Sequence, residues 1–293
     1  MPGAFDVIPG GSACENALVA PVQAPPSQQL PAVQKLRVRF AKRGRLRFTS
    51  HRDFQRAFER AVRRAELPVA FSHGFSPHPK ISYAGAAPTG AASEAEYLEI
   101  SLTQERDAEQ VRAALDEALP PGLDVLEVVV AGPGALAERL EASEWQIALP
   151  GADPEAAATA VRAFLERDEI LVERMTKRGL RSFDCRAAVL RLTVASEPGP
   201  VAACAILQVV LRHGTPAVRP DDVLAGVLEV ATLPVTGPAL LTRLAQGPLT
   251  TDTGTVDDPL ARDRDANQAT ATGQAGPHQT HTAEGDAAAP SVP

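Results

Sequence analysis

The residues best suited to chemistry in this chain are four histidines, His51, His73, His78 and His213, with Asp53 and Asp184 as acids able to orient them. Two of the histidines fall in one short stretch, SHGFSPHPKISYA from Ser72 to Ala84, together with Phe75, Pro77, Pro79, Lys80 and Tyr83. Its residue types suit three uses. His51, Asp53, His73 and His78 could converge on a metal, since loops gathered at a helix N-terminus need no fixed ligand spacing. The surrounding arginines argue against this, because they repel a divalent ion. Alternatively, His51, His73 or His78 could serve as a general base on a ribose 2′-hydroxyl, with cationic neighbours lowering the histidine pKa and stabilising the transition state. In the third use the stretch is a recognition loop: Phe75 or Tyr83 stacks on a base, Lys80 meets phosphate, and Pro77 and Pro79 reduce the entropy lost when the loop is fixed. The plainest alternative has both aromatics in the core and the prolines merely shaping a turn.

Charge favours the third use. The net charge is −7 over 293 residues, yet Lys35 to Lys80 holds thirteen Lys or Arg against only Asp53, Glu59 and Glu66. That segment is +10 and the remainder −17, a local excess that points to a polyanion on one face. A merely solvated arginine-rich surface is the competing explanation. Cys14, Cys185 and Cys204 form no C-x-x-C spacing for zinc or an iron–sulfur cluster. Any such cluster must sit on another chain, and no metal ligand set is assigned here. Phosphate-loop, dinucleotide, esterase and zincin motifs are missing too.

The elements that must position these residues are legible from periodicity. Leu36, Val38 and Phe40 alternate with Lys35, Arg37 and Arg39, the pattern of a half-buried strand, and Leu46 and Phe48 continue it after the KRGR turn. Ser50 with Asp53 opens a helix running to about Ala65. Phe54, Ala57, Phe58, Ala61, Val62 and Ala65 form its buried stripe, leaving Arg52, Arg56, Arg60 and Arg63 as an outward ridge with Glu59 able to pair with Arg63. Strands at Val69 to Phe71, Lys80 to Ala84 and Tyr97 to Leu102, a helix at Ala108 to Leu119 and a strand at Val125 to Val130 complete a β–α–β–β–α–β order.

A similar order follows: strand at Trp145 to Leu149, helix at Pro154 to Arg167, strand at Ile170 to Met175, strands at Ala188 to Val194 and Ala205 to Arg212, helix from Asp221, strand near Leu240 to Leu244. The expected fold is α+β: two ferredoxin-like (βαββαβ-type) domains, a basic one over 34–132, with one sheet face left free for a partner or for the second domain, and a second over 143–249. Residues 1–33 and 250–293 are expected to be disordered, because their composition cannot bury enough surface to offset ordering entropy. No secretory leader or membrane-length apolar run occurs, so a cytoplasmic protein without membrane association is expected.

The run RFAKRGRLRFTSHRDFQRAFERAVRRAELPVAFSHGFSPHPKISYAGAAPTGAASEAEYLEISL, with LDEALPPGLDVLEV after it, closely resembles the radical-SAM-linked protein family, domain of unknown function 2344; KRGLRSFDCRAAVLRL and TPAVRPDDVL match more loosely. The likeness spans about Val33 to Leu249. It places motif positions on Ser50, His51, Asp53, Gly74, Phe75, Pro77, Pro79, Lys80 and Ser82, and on Asp184, Arg186, Arg219 and Pro220. The resemblance implies a stand-alone accessory module, more a non-catalytic companion than an enzyme, working beside a radical S-adenosylmethionine enzyme that carries the iron–sulfur cluster, S-adenosylmethionine and, in many cases, cobalamin. RNA is the implied polyanion. Binding would fall to Arg52, Arg56, Arg60, Arg63, Phe75 and Lys80, with Asp184, Arg186 and Arg219 in the second half. A metal-independent RNA-cleaving or RNA-modifying enzyme using His51, His73 or His78, and a protein adaptor for the partner, are the alternatives.

Overall fold

The computed structural model describes residues 30–176, 179–195, 204–250 and 252–274; most of the expected disordered lead-in, and the tail beyond 274, lie outside the described residues. The first half runs β1 (Gln34–Lys42), α1 (His51–Arg64), β2 (Ile81–Ala84), β3 (Ala92–Leu102), α2 (Ala108–Ala118) and β4 (Val125–Val130). The second runs β5 (Ala142–Pro150), α3 (Pro154–Leu165), the hairpin β6 (Leu171–Thr176) and β7 (Gly179–Asp184), then β8 (Val189–Val194), β9 (Cys204–Arg212), α4 (Pro220–Val230) and β10 (Leu240–Gly247). A small hairpin, β11 (Leu249–Thr250) with β12 (Thr255–Val256), leads to α5 (Ala261–Gln274). Among the described residues no helix is long and apolar enough to cross a membrane.

The architecture is mixed α+β, and both halves share one eight-stranded sheet instead of forming two separate ones. Strand order is β4-β1-β3-β10-β5-β9-β8, with β2 also pairing β3. Pairing within each half is antiparallel, in the orders β4-β1-β3-β2 and β10-β5-β9-β8. The halves meet where β10 runs parallel to the start of β3, through only Thr242↔Ala92 and Arg243↔Ser93. Side chains carry this short seam. The Arg243 guanidinium, buried over the Trp145 ring, donates to Glu96, to Ser93 Oγ (3.2 Å), to Gln246 Oε1 (2.8 Å) and to the Gly85 carbonyl (2.6 Å). A buried charge is tolerable only when it is paired and its donors are satisfied, and here both conditions hold.

Alternation in β1 sets the two faces of the first half. Leu36, Val38 and Phe40 join Phe54, Phe58 and Val62 of α1 and Val111 and Leu115 of α2 in one core. Arg37, expected on an open face, is instead fully buried on the reverse side, because α5 lies across it. Both Asp263 oxygens accept from Arg37 Nη1 (2.8 and 2.7 Å) and from Arg139 (2.8 and 3.2 Å), and the Gly132 amide donates to the same carboxylate at 2.9 Å. Burial alone would raise the Asp263 pKa, but these donors outweigh it and hold the carboxyl below its ordinary value.

Two local expectations are thereby corrected. Residues 252–274, expected to be disordered, carry structure: Leu260 is completely buried beside Tyr97, Val129 and Leu136, and α5 packs on β4. Composition hides this, since one leucine and one aspartate anchor the segment in place of an apolar stripe. Leu46 and Phe48 are not strand residues but lie in a 3-10 turn, Gly44–Phe48, where Gly44 takes φ +54°.

Candidate nucleic-acid interface

Helix α1 starts where its sequence says it should. Ser50 Oγ accepts the Asp53 amide at 3.2 Å and donates to Asp53 Oδ2 at 2.7 Å. Phe54 stacks on Phe40 with centroids 4.5 Å apart, and Tyr83 of β2 meets Phe54, Phe58 and His51 edge-on at 5.8, 6.5 and 5.2 Å. Tyr83 is thus a core residue, and burial pushes its phenol pKa well up. It offers no platform to a base.

The helix positions opposite this stripe carry Arg52, Arg56, Arg60 and Arg63, all exposed. At 100° per residue they fall within an arc of ~80°, with roughly 6 Å between successive turns. Much of the basic segment is spent inside the fold. Arg37 pairs with Asp263 and Glu99, Arg43 with Glu94 and Asp124, and Lys35 with Glu99; Arg39, Lys42 and Arg64 donate to backbone carbonyls, and Arg47 lies over Phe48. Among the described residues the ridge arginines, Arg45 and Lys80 have neither ion pair nor side-chain hydrogen bond; the expected Glu59–Arg63 pair does not form. The patch is therefore smaller than the +10 of the sequence, but its charges are free.

The quoted stretch is a closed loop. The Ser72 amide donates to the His78 carbonyl (2.8 Å), the His78 amide to Ser72 Oγ (3.0 Å), and the Lys80 amide to the Ala70 carbonyl (2.8 Å). At its tip Gly74 adopts φ +131°, a conformation costly for other residues, and Phe75 stands fully in solvent at 107% of its reference exposure. A bare phenylalanine on a turn closed by its own hydrogen bonds has no packing role. It is available to stack.

The histidines do not assemble. His51 Nε2 lies 3.1 Å from Gln55 Nε2 at the start of α1, whereas His73 and His78 are exposed on the loop. His78 precedes Tyr83, the neighbour of His51, by five residues of mainly extended chain, roughly 16 Å at the rise of a strand. His78 therefore shares no proton site with His51. Among the described residues no three His, Cys, Asp or Glu gather as metal ligands do. Lys80 also departs from the ridge: with Ser82, Glu99 and Ser101 it faces the reverse side of the sheet, away from α1.

In the second half the candidate residues hold the backbone. Asp184 Oδ1 accepts from the amides of Ile170 (3.1 Å), Arg186 (2.9 Å) and Ala187 (3.4 Å), and Arg186 donates to the carbonyls of Val189 and Leu165. Arg219 caps α4, its amide donating to Asp222 at 2.8 Å, while its side chain is exposed. His213 places Nδ1 at 2.8 Å from the Leu140 carbonyl and Nε2 at 2.9 Å from Ser143 Oγ, which also accepts Trp145 Nε1–H at 2.8 Å. Ser143 is 3% exposed and holds the exposed His213 ring against the start of β5. Burial pushes the Cys185 thiol up to about 12, leaving it unreactive. What sequence reasoning missed, the Arg243–Glu96 seam and the Arg37–Asp263–Arg139 cluster, carries no local motif: each joins residues more than a hundred positions apart.

No curated protein matches the sequence. One solved chain, described as "Crystal Structure of a Cbf5-Nop10-Gar1 Complex", aligns with a TM-score of 0.39 and 13% identity over 79% of this chain and 56% of that one, so the protein spans little more than half its length. A family model matches residues 35–220, which covers β1 through the start of α4 and therefore both the ridge and the Phe75 loop. The chain belongs to that family, described as an uncharacterized protein conserved in bacteria, domain of unknown function 2344.

Proposed function

We propose that the protein is a non-catalytic RNA-binding module in which the α1 arginines meet phosphates and Phe75 stacks on an unpaired base. The observation that carries this reading is the coexistence, on consecutive elements, of four exposed unpaired arginines in one arc and a fully exposed phenylalanine. Cations that track a backbone, beside an aromatic that takes any base, are the parts of a single-strand binder. Each half of the sheet has the strand order of a ferredoxin-like unit, and we take the molecule as two such units fused edge to edge.

The resemblance to radical-SAM-linked proteins supplies the partner: a radical S-adenosylmethionine enzyme holding the iron–sulfur cluster, its S-adenosylmethionine and, in some pairings, cobalamin, with this chain presenting RNA to it in the cytoplasm. An adaptor role has one supporting feature. The β6–β7 hairpin exposes Leu171, Met175 and Leu180 on a single face, a surface suited to docking that enzyme.

Retention of single-stranded RNA at rising salt tests the reading. Wild type should bind with a steep salt dependence. Arg56→Glu with Arg60→Glu should lower affinity about 100-fold at low salt and flatten the slope without altering the fold. Equal binding by the double variant would refute it.

A further inference from the structure

On the reverse face, Lys35, Lys80, Ile81, Ser82, Glu99 and Ser101 line a cavity of about 200 Å³ at the root of the Phe75 loop. Its polar groups converge for a structural reason. Register pairs Ser82 with Glu99 and Lys35 with Ser101, so three neighbouring strands send alternate side chains to this one side. Three of them are left unused by the fold: among the described residues Lys80 Nζ, Ser82 Oγ and Ser101 Oγ have no hydrogen-bond or ion-pair partner.

The carboxylate in the wall does not make this a cation site. Glu99 Oε1 accepts Arg37 Nε at 3.0 Å and Glu99 Oε2 lies 3.7 Å from Lys35 Nζ, so its charge is already matched. The unspent groups are an ammonium and two hydroxyls, donors suited to a tetrahedral oxyanion. Size narrows the ligand further, because sites that engulf drug-sized molecules run to about 300–1,000 Å³. This cavity is of a size to seat a phosphoryl group and part of its ribose.

We propose that the Lys35–Lys80–Ser82–Ser101 cavity is a phosphate-monoester site, separate from the arginine ridge and on the opposite face of the sheet. It does not depend on the RNA-binding role of α1. Two sources share the chemistry, a free nucleotide and the 5′-phosphorylated end of an oligonucleotide.

Calorimetry on the full chain with inorganic phosphate, a nucleoside 5′-monophosphate, and one oligonucleotide with and without its 5′-phosphate tests it. The expected result is saturable binding of the monophosphate, weakened at least tenfold by Lys80→Gln with Ser82→Ala and unchanged by Arg56→Glu with Arg60→Glu. Binding of the nucleoside monophosphate that exceeds both inorganic phosphate and the 5′-phosphorylated oligonucleotide identifies a free ester as the ligand, whereas a 5′-phosphate preference of the oligonucleotide that Lys80→Gln abolishes identifies the strand end. Absence of saturable binding to wild type, or full affinity in the Lys80→Gln, Ser82→Ala protein, overturns the site. Loss through the ridge variant alone reassigns the anion to α1 and overturns it equally.

Discussion

Helices α1 and α3 occupy equivalent places, each following the first strand of its half and packing on the same strand order, yet their outer faces differ sharply. α1 reads HRDFQRAFERAVRR and exposes five arginines; α3 reads PEAAATAVRAFL and has only Arg162 as a cation. Both are capped alike, by Ser50 and by Asp153, and both bury a phenylalanine and valine stripe. The scaffold therefore does not require the ridge. Each half also makes an excursion at the same point, between its first helix and its second sheet strand: the Phe75 loop in one, the β6–β7 hairpin in the other. A shared frame with unlike decorations locates function in the decorations.

The reverse faces differ too, and here the largest effect is expected. Behind the second half Glu144, Gln146, Gln208, Thr193 and Thr242 are polar and only partly covered or exposed, while behind the first half α5 seals Arg37. Asp263→Ala removes the carboxylate that Arg37 and Arg139 share, leaving the buried Arg37 only Glu99 as an ion-pair partner, and should lower unfolding stability by about 3–5 kcal/mol, measured by urea denaturation at neutral pH. Acid should erase the difference. Because the native Asp263 pKa lies below its unfolded value, its contribution is complete above about pH 4 and disappears as pH falls through the lower folded value. A wild type and variant that stay equally far apart at low pH would mean that α5 is held by Leu260 packing and not by charge.

The next effect tests the two excursions. Phe75→Ala should weaken single-stranded RNA binding about tenfold, a base-stacking term of roughly 1–3 kcal/mol, with no loss of stability, since the ring touches solvent only. Met175→Ala in the hairpin should leave RNA affinity alone. If the two substitutions act equally on RNA, the division of labour between the halves is wrong.

How far the sequence foretells this follows the range of the interactions. The ridge was legible because helical periodicity is local: Phe54, Phe58 and Val62 fix which face Arg52, Arg56, Arg60 and Arg63 present. Phe75 was ambiguous, since an aromatic between prolines reads equally as core or as surface until the Ser72–His78 closure is seen. Tyr83, its apparent equal in the stretch, went to the core because β2 register puts it under α1. Lys80 could not be placed from composition, as one residue of strand parity separates the helix face from the reverse face. Arg37 and Asp263 lie 226 positions apart, so neither advertised the other.

The smallest expected effect concerns the caps. Ser50→Ala and Asp153→Ala each remove a side-chain acceptor from an N-terminal amide, the Asp53 amide at 3.2 Å and the Ala156 amide at 2.9 Å, and each should cost about 1 kcal/mol. The aspartate loss should be slightly greater, because its charge also meets the positive end of the helix. Stability would then fail to distinguish the two helices, but RNA binding should: fraying the first turn of α1 loosens Arg52 and lowers affinity severalfold, whereas the same damage to α3 reaches no cationic ridge. An Asp153→Ala protein that loses RNA as readily as Ser50→Ala would place the contact on both halves and dissolve the asymmetry between them.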